Sequence, residues 1–371
     1  MKILLLSDTY SEHTEKWALA LAGKGHHIGL FSFNKASYDW HNHPNITIFF
    51  EPPKKINAES TLTKLSYLKY VGILKNVIKH FKPDILHAHY ATSYGLLGAL
   101  TGFHPFVLSV WGSDVYEFPT KSRLHKRVFQ YNLAKADVLM STSRVMKDEL
   151  AKYTKKDVVV TPFGVDTSAF KAQHLPDKER SMIHVGTIKP MEEKYGIKDI
   201  IDAAEVLIKK GTLRYRFYLI GEGSEMDLYR HLILEKGLAE HFVLTGRIPF
   251  AEVNHYHQLL DVFLNVSIND SESFGVATVE AMACETPVIV TDVGGLMEVI
   301  EHGTYGTVVP KNNPLALADA IENIAGNQSD FTEKAKEARK HVLSKYDWAN
   351  NLNLMIEQYQ LLIAKKTNAK K

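Results

Sequence analysis

The chain has 371 residues, a hydrophobic fraction of 45%, a charged fraction of 23% and a formal net charge of +2. That length exceeds what one hydrophobic core covers, so two domains are expected, and the composition excludes a disordered, fibrous or disulfide-built chain. The single cysteine, Cys284, cannot form an internal disulfide, no leader-like stretch precedes Ser7 and Asp8, and no apolar run is long enough to span a bilayer; these point to the cytoplasm.

Short β-rich runs alternate with helical patterns along the chain, which predicts α/β architecture with parallel sheets. In the first half the strands are expected at Ile3–Leu6, Ile28–Phe33, Ile46–Phe49, Ile85–His89, Phe106–Val110, Val138–Thr142 and Val158–Thr161, with helices such as Glu15–Ala22 and Leu62–His80 between them. The polar, Pro-containing stretch "FGVDTSAFKAQHLPDKER" (Phe163 to Arg180) reads as a linker and places a domain boundary near residue 170. A second set of strands follows at Ser181–Val185, Arg216–Ile220, His241–Leu244, Val262–Ser267, Val288–Thr291 and Thr307–Val309. The expected division is therefore 1–170, 171–345, and a terminal helix over 346–371 that ends in a frayed, lysine-rich tail. Charge is uneven: residues 1–170 carry +7 and residues 171–371 carry −5. A basic first half calls for an anionic partner.

Two doubly wound units bind ligands at the carboxyl ends of their strands, but that architecture names no reaction. A dinucleotide fingerprint is absent after the first strand, where "SDTYSEHTEKW" holds no glycine, and "IGEGSEM" lacks the third glycine, so a nicotinamide enzyme is disfavoured. The histidine pairs His41/His43, His87/His89 and His255/His257 lack acidic or cysteine partners at ligand spacing, so structural or surface roles are expected and no metal site is assigned. Cys284 reads as a packed small hydrophobe.

The informative stretch is "SESFGVATVEAMACETPVIV" (Ser271 to Val290), where Glu272 precedes a helix start and Glu280 lies within the helix. Gly275 lets the backbone approach a ligand, and the N–H groups of Val276 and Ala277 point outward at the positive end of the helix dipole, an arrangement suited to phosphate. Glu280 suits a vicinal diol such as ribose, and Glu272 a further polyol. Phosphate, ribose and polyol together make a nucleotide sugar.

On these residues the chain resembles the E-x7-E region of the GT-B glycosyltransferases of family 4, and the likeness runs through most of the sequence. "LAGKGHHIGLFS" (Leu21 to Ser32), "PDILHAHYATSYGLLGAL" (Pro83 to Leu100), "TPFGVDTSAF" (Thr161 to Phe170), "LIGEGSE", "LTGRIPFAEV" (Leu244 to Val253) and "YDWANNLNLMIEQYQLL" are similar to that family's segments in the same order. The resemblance implies two doubly wound Rossmann-like domains facing a cleft, with acceptor binding in the first and donor binding in the second. It implies a retaining transfer that needs neither metal nor cofactor. By the same likeness Glu280 holds the donor ribose and Glu272 the transferred sugar. Ser273, Phe274, Gly275, Val276 and Ala277 cradle the diphosphate through backbone N–H groups, the Gly246–Arg247–Ile248 edge meets the base, and Lys194 neutralises the leaving group.

Three departures stand out. The family's arginine is Thr187 here, with Lys189 and Arg247 as candidates for its place. The N-terminal loop lacks paired glycines and offers His13. Where the family has His-Gly, this chain has "SVWGSDVY", with Trp111 and then Asp114. His13, Trp111 and Asp114 are accordingly the acceptor-side candidates.

The expected activity is transfer of a hexosyl or N-acetylhexosaminyl group, from a donor of the UDP class to a glycan or lipid-linked acceptor, in bacterial surface polysaccharide or glycolipid synthesis. The rivals are a GT-B-like nucleotide-sugar epimerase or hydrolase and a degenerate, nucleotide-sugar-binding partner subunit. "KLSYLKYVGILKNVIKHFK" (Lys64 to Lys82) sets an apolar stripe among lysines, which fits either a core helix with a solvated lysine face or a peripheral contact with an anionic membrane. "KSRLHKRVF" (Lys121 to Phe129) adds a second basic cluster. No nucleic-acid recognition motif accompanies the charge.

Overall fold

In the computed structural model, residues 1–35, 39–50, 69–173 and 181–368 are described. The chain divides into two compact units, one made of Met1–Pro162 and Asn350–Lys371, the other of Phe163–Ala349.

The first unit is a seven-stranded parallel sheet of β1 (Lys2–Leu6), β2 (His27–Phe31), β3 (Ile46–Phe50), β4 (Ile85–His89), β5 (Phe106–Val110), β6 (Val138–Ser141) and β7 (Val158–Val160), in the order β3-β2-β1-β4-β5-β6-β7. β1 reads as a near-continuous apolar run, and β4 and β5 are buried throughout, because helices cover both faces of a parallel sheet. The helices Tyr70–Phe81, Ser93–Thr101 and Arg123–Lys135 pack side by side, the middle one against both others. Leu74, Val77, Leu97, Phe129 and Leu133 reach from them into the same core as Leu4, Leu86 and Leu108.

The apolar stripe of the basic segment is thus part of this core, with Val71, Ile78 and Phe81 packed against it, while Lys69, Lys75, Lys79 and Lys82 lie exposed. Lys64–Leu68 lie outside the described residues, as does the first part of the helix expected from Leu62. The helix Glu12–Gly23 begins three residues ahead of its expected start at Glu15.

Some buried polar groups in this unit are paired in series. His87 bonds through Nδ1 to the Tyr359 hydroxyl at 2.6 Å and through Nε2 to Ser109 Oγ at 2.7 Å. Tyr359 belongs to the terminal helix Trp348–Asn368, so that bond ties the end of the chain to β4. Burial lowers the His87 pKa to about 3, and burial, with His87 and His13 nearby, lowers that of His89 well below the ordinary histidine range, so both rings are neutral at physiological pH.

The second unit holds β8 (Ile183–Ile188), β9 (Tyr215–Ile220), β10 (Phe242–Gly246), β11 (Val262–Asn265), β12 (Val288–Thr291) and β13 (Thr307–Val309), all parallel, in the order β10-β9-β8-β11-β12-β13. All thirteen strands expected from the sequence are present. The described part of the expected linker, Phe163–Gln173, joins this unit: Val165 exchanges backbone hydrogen bonds with Tyr346 (2.8 Å) and Trp348 (2.9 Å). The helix Gln328–Lys345 packs on the helix Val276–Ala283, where Arg339 donates to the carbonyl of Ala283 and so satisfies the negative end of that helix.

Candidate functional site

At the carboxyl end of β11 the chain turns through Asn269, whose side chain accepts from Ser271 N at 2.8 Å. It then runs through Glu272 to Gly275 and enters the helix Val276–Ala283. Gly275 is the N-cap residue, with φ 77° and ψ 57°, and no side chain caps the helix start. A Cβ there would lie 2.4 Å from Leu296 Cδ2, so both the left-handed backbone and the space call for glycine. Thr278 N and Val279 N donate to the Gly275 carbonyl at 2.9 and 3.2 Å, whereas the N–H groups of Val276 and Ala277, at the first two helical positions, have no intrahelical acceptor. Below them Asn265 Nδ2 donates to Thr278 Oγ1 (2.9 Å) and Ser267 Oγ to Asn265 Oδ1 (2.9 Å), fixing the helix start to the strand end.

Two further contacts set the loop. Phe274 is buried against Tyr346 and Phe163, with ring centroids 5.3 and 6.2 Å away, so of this residue only the backbone is offered to a ligand. Gly295 lies beneath the Glu272–Ser273 backbone so closely that a Cβ would be 2.3 Å from the Ser273 carbonyl carbon.

The carboxyl end of β8 supplies the cations. Lys189 Nζ pairs with Glu272 Oε1 at 2.7 Å, and both side chains are nearly out of water, 9% and 12% exposed. Lys194 pairs with Glu192 at 2.9 Å in a half-exposed setting. Both ammonium groups lie over the Tyr195 ring, 5.1 and 5.0 Å from its centroid. Burial pulls the Lys194 pKa down, but its bonds to Glu192 and Tyr195 outweigh that and hold it above the ordinary lysine value. The Lys194 carbonyl accepts from Ile268 N at 2.9 Å, which joins this loop to the one leading to Glu272. Thr187 is buried at the end of β8. Arg247 is exposed after β10, and Ile248 beside it is half-buried.

Glu280 is 7% exposed and faces His257, whose Nε2 is 3.4 Å from Glu280 Oε2. Cys284, one turn on, donates to Asn254 Oδ1 at 3.2 Å, and burial with the Glu280 charge pushes its thiol up to about 12, so it is a packed group rather than a nucleophile.

The second unit thus brings together Lys189, Lys194, Glu272 and the helix start at Gly275. Tyr195 and Gly295 join this group, and His257 meets Glu280 on the same helix, without a signal in the sequence that marks them as site residues. Nothing local distinguishes Tyr195 or Gly295, and the sequence offers His257 only as one half of a histidine pair. A cavity of about 370 Å³, lined by Gln258, Asp261, Glu285 and Thr286 among others, opens at the other end of the sheet, where β11 and β12 begin, and none of Lys189, Lys194, Glu272 and Gly275 lines it.

In the first unit Trp111 packs against His89 (4.6 Å between centroids) and meets the edge of His13 (5.8 Å). His89 Nδ1 bonds Ser7 Oγ at 2.8 Å. The Asp114 carboxylate is turned inward and accepts from the backbone N–H groups of Ala91, Trp111 and Gly112, at 2.8, 3.1 and 2.9 Å. Its oxygens are thereby spent on shaping the ends of β4 and β5. Burial raises its pKa, and those N–H donors oppose the rise.

Residues 2–143 match the family described as "Glycosyl transferase 4-like", and residues 165–342 match "Glycosyl transferases group 1". The chain belongs to the GT-B glycosyltransferases. It is 28% identical over 358 residues to an uncharacterised glycosyltransferase, MJ1178, of Methanocaldococcus jannaschii, covering 94% of this chain and 95% of that one. It is also 28% identical over 292 residues to the putative teichuronic acid biosynthesis glycosyltransferase TuaC of Bacillus subtilis, covering 75% and 70%. The fold of this glycosyltransferase matches a sucrose-phosphate synthase of Thermosynechococcus elongatus with a TM-score of 0.83 at 20% identity, over 98% of this chain and all of that one. It matches Anabaena Alr3699/HepE, solved in complex with UDP, with a TM-score of 0.80 at 20% identity over the same shares.

The contact beneath the loop gives a direct test. Gly295→Ala must push the Glu272–Ser273 backbone while leaving helical φ/ψ intact. It is expected to reduce kcat/KM at least about tenfold, roughly 1.4 kcal/mol, and steady-state kinetics with the donor varied would measure it; unchanged kinetics would mean the loop tolerates the shift.

Proposed function

We propose that this glycosyltransferase moves a hexosyl or N-acetylhexosaminyl group, with retention of configuration and without a metal, from a UDP-linked donor to an acceptor hydroxyl in the synthesis of a cell-surface polysaccharide or glycolipid. One observation carries the reading: the uncapped helix start at Gly275 stands beside the Lys189–Glu272 pair, with Glu280 on the same helix. Diphosphate, sugar hydroxyls and ribose each have a complementary group there. UDP as the nucleotide class is supported by Alr3699/HepE, solved with UDP and with UDP-glucose. A surface-polymer product is supported by TuaC and by AmsK of Erwinia amylovora, named for amylovoran biosynthesis.

In this reading the bond between the sugar's anomeric carbon and the diphosphate oxygen breaks as the acceptor oxygen bonds to that carbon on the same face. The acceptor's proton leaves with the departing diphosphate. The helix start and a full cation take up the charge developing on the leaving group. Lys189 is already balanced by Glu272, whereas Glu192, the partner of Lys194, is half-exposed and readily exchanged for phosphate. Lys194 is therefore the cation for the leaving group, and Lys189 orients Glu272 toward the transferred sugar. Arg247 and Ile248 serve the base, and His13 and Trp111 the acceptor.

The two carboxylates separate cleanly in a binding experiment. Glu280→Ala should weaken UDP about 10- to 100-fold, roughly 1.5–3 kcal/mol for a lost charged acceptor. Glu272→Ala releases the charge of Lys189, so UDP should bind as well or better while turnover of the complete donor falls. Equal loss of UDP affinity in both variants, by calorimetry, would contradict this division.

The cation assignment is tested by turnover. Lys194→Ala should lower kcat at least about 10²-fold, near 2.7 kcal/mol, with a smaller change in donor KM, and Lys194→Arg should restore part of it. Near-normal turnover in Lys194→Ala, with loss in Lys189→Ala, would give the role to Lys189.

We also propose peripheral contact with an anionic membrane, resting on charge alone, since the apolar stripe is core. The helices Tyr70–Phe81, Ser93–Thr101 and Arg123–Lys135 contain no Asp or Glu, and Lys75, Lys79, Arg123, Lys126 and Arg127 are exposed on them. Such attachment is screened by salt. The protein should co-sediment with phosphatidylserine vesicles at low salt and be released by Lys75→Glu with Lys79→Glu, without a change in unfolding temperature; no co-sedimentation of the wild type would dismiss the contact.

A further inference from the structure

The helix Phe250–Leu259 packs against the helix Val276–Ala283, and two side-chain contacts join them. One links Asn254 to Cys284, and the other brings His257 Nε2 to 3.4 Å from Glu280 Oε2. His257 is fully buried, with its ring 5.1 Å from that of Phe263 and 6.1 Å from that of Phe170. Among the described residues the Glu280 carboxylate has no other hydrogen bond or ion pair. A buried carboxylate can accept about four hydrogen bonds, and one donor leaves it under-satisfied unless a ligand supplies the rest.

The tautomer follows from the other ring nitrogen. His257 Nδ1 is buried with no partner. A proton there would be an orphaned donor in an apolar setting, whereas a bare lone pair loses less. Nε2 therefore carries a proton aimed at Glu280 Oε2, and Nδ1 is the nitrogen left without a partner. At 3.4 Å the contact is at the long end for N–H···O, so it orients the carboxylate more than it neutralises it.

We propose that His257 is the positioning residue for Glu280: its imidazole holds Oε2 and thereby turns Oε1 toward the ribose diol of the donor. The proposal rests on the donor-site reading above. It explains why a polar ring lies among Phe170 and Phe263, where a leucine would pack without an unsatisfied nitrogen.

Calorimetric titration of UDP into the full chain, in a double-mutant cycle, tests it. His257→Phe should weaken UDP about tenfold, and His257→Gln, which keeps a donor, should recover most of that. In a Glu280→Gln background, His257→Phe should cost nothing more. The same loss in both backgrounds, or none in either, overturns the proposal. Should His257→Phe lower the unfolding temperature of the ligand-free protein, His257→Leu, which also removes the donor, carries the comparison in the two backgrounds. Histidine ¹⁵N resonances decide the contact without any nucleotide: a ring protonated on Nε2 that responds to Glu280→Gln supports the pair, and protonation on Nδ1 overturns it. A wild-type chain that binds no nucleoside diphosphate while the pair is intact overturns the donor reading, and with it the role of the pair in nucleotide binding.

Discussion

Lys189 and Glu272 are held 2.7 Å apart, each about nine-tenths out of water. Removing two charges from water costs several kcal/mol per ion, and their attraction need not repay it, so a near-buried ion pair is weak evidence of stability. Its position gives it meaning. Lys189 leaves β8 and Glu272 approaches a helix that follows β11, and those strands are neighbours in the centre of the second sheet. The sheet fixes the distance between the loops, Gly275 supplies the left-handed turn, and Gly295 lets a second helix approach the loop from below. The placing of Lys189, Glu272 and the helix start depends on that arrangement.

The first unit uses its buried polar groups differently. His87, Ser109 and Tyr359 satisfy one another, and Asp114 is saturated by three backbone N–H groups. These are supports: Asp114 holds the Trp111 backbone at the end of β5, and the Trp111 ring meets His13. Two of the chain's three departures from the family pattern, the loop with His13 and the Trp111–Asp114 stretch, thus fall beside these supports, and the third, Thr187, lies on β8 of the second unit.

Much of this is legible in the sequence, for a physical reason. Strands covered on both faces are largely apolar, so β1 and β12 announce themselves as near-continuous runs. The turn at Gly275 and the carboxylates on either side of it are local in sequence and readable as a unit. What cannot be read is contact across distance. Lys189 and Glu272 are 83 positions apart, and Glu280 and His257 are 23 apart. The stretch from Phe163 looks like linker because its bonds go to Tyr346 and Trp348. The stripe from Val71 to Phe81 has the same period whether it faces its own sheet or a lipid surface, and only the packing shows the former.

The central claim is that the second unit recognises a nucleotide sugar at the helix start beside Glu272. Thermal unfolding of the full chain against a panel of nucleotide sugars and their free nucleoside diphosphates measures this most directly. A ligand present at 100 times its dissociation constant adds about 2.7 kcal/mol of stability. The account predicts a clear rise in unfolding temperature with one nucleotide sugar and with the diphosphate of the same base. No shift with any member of the panel, from a chain that unfolds cooperatively, would contradict it.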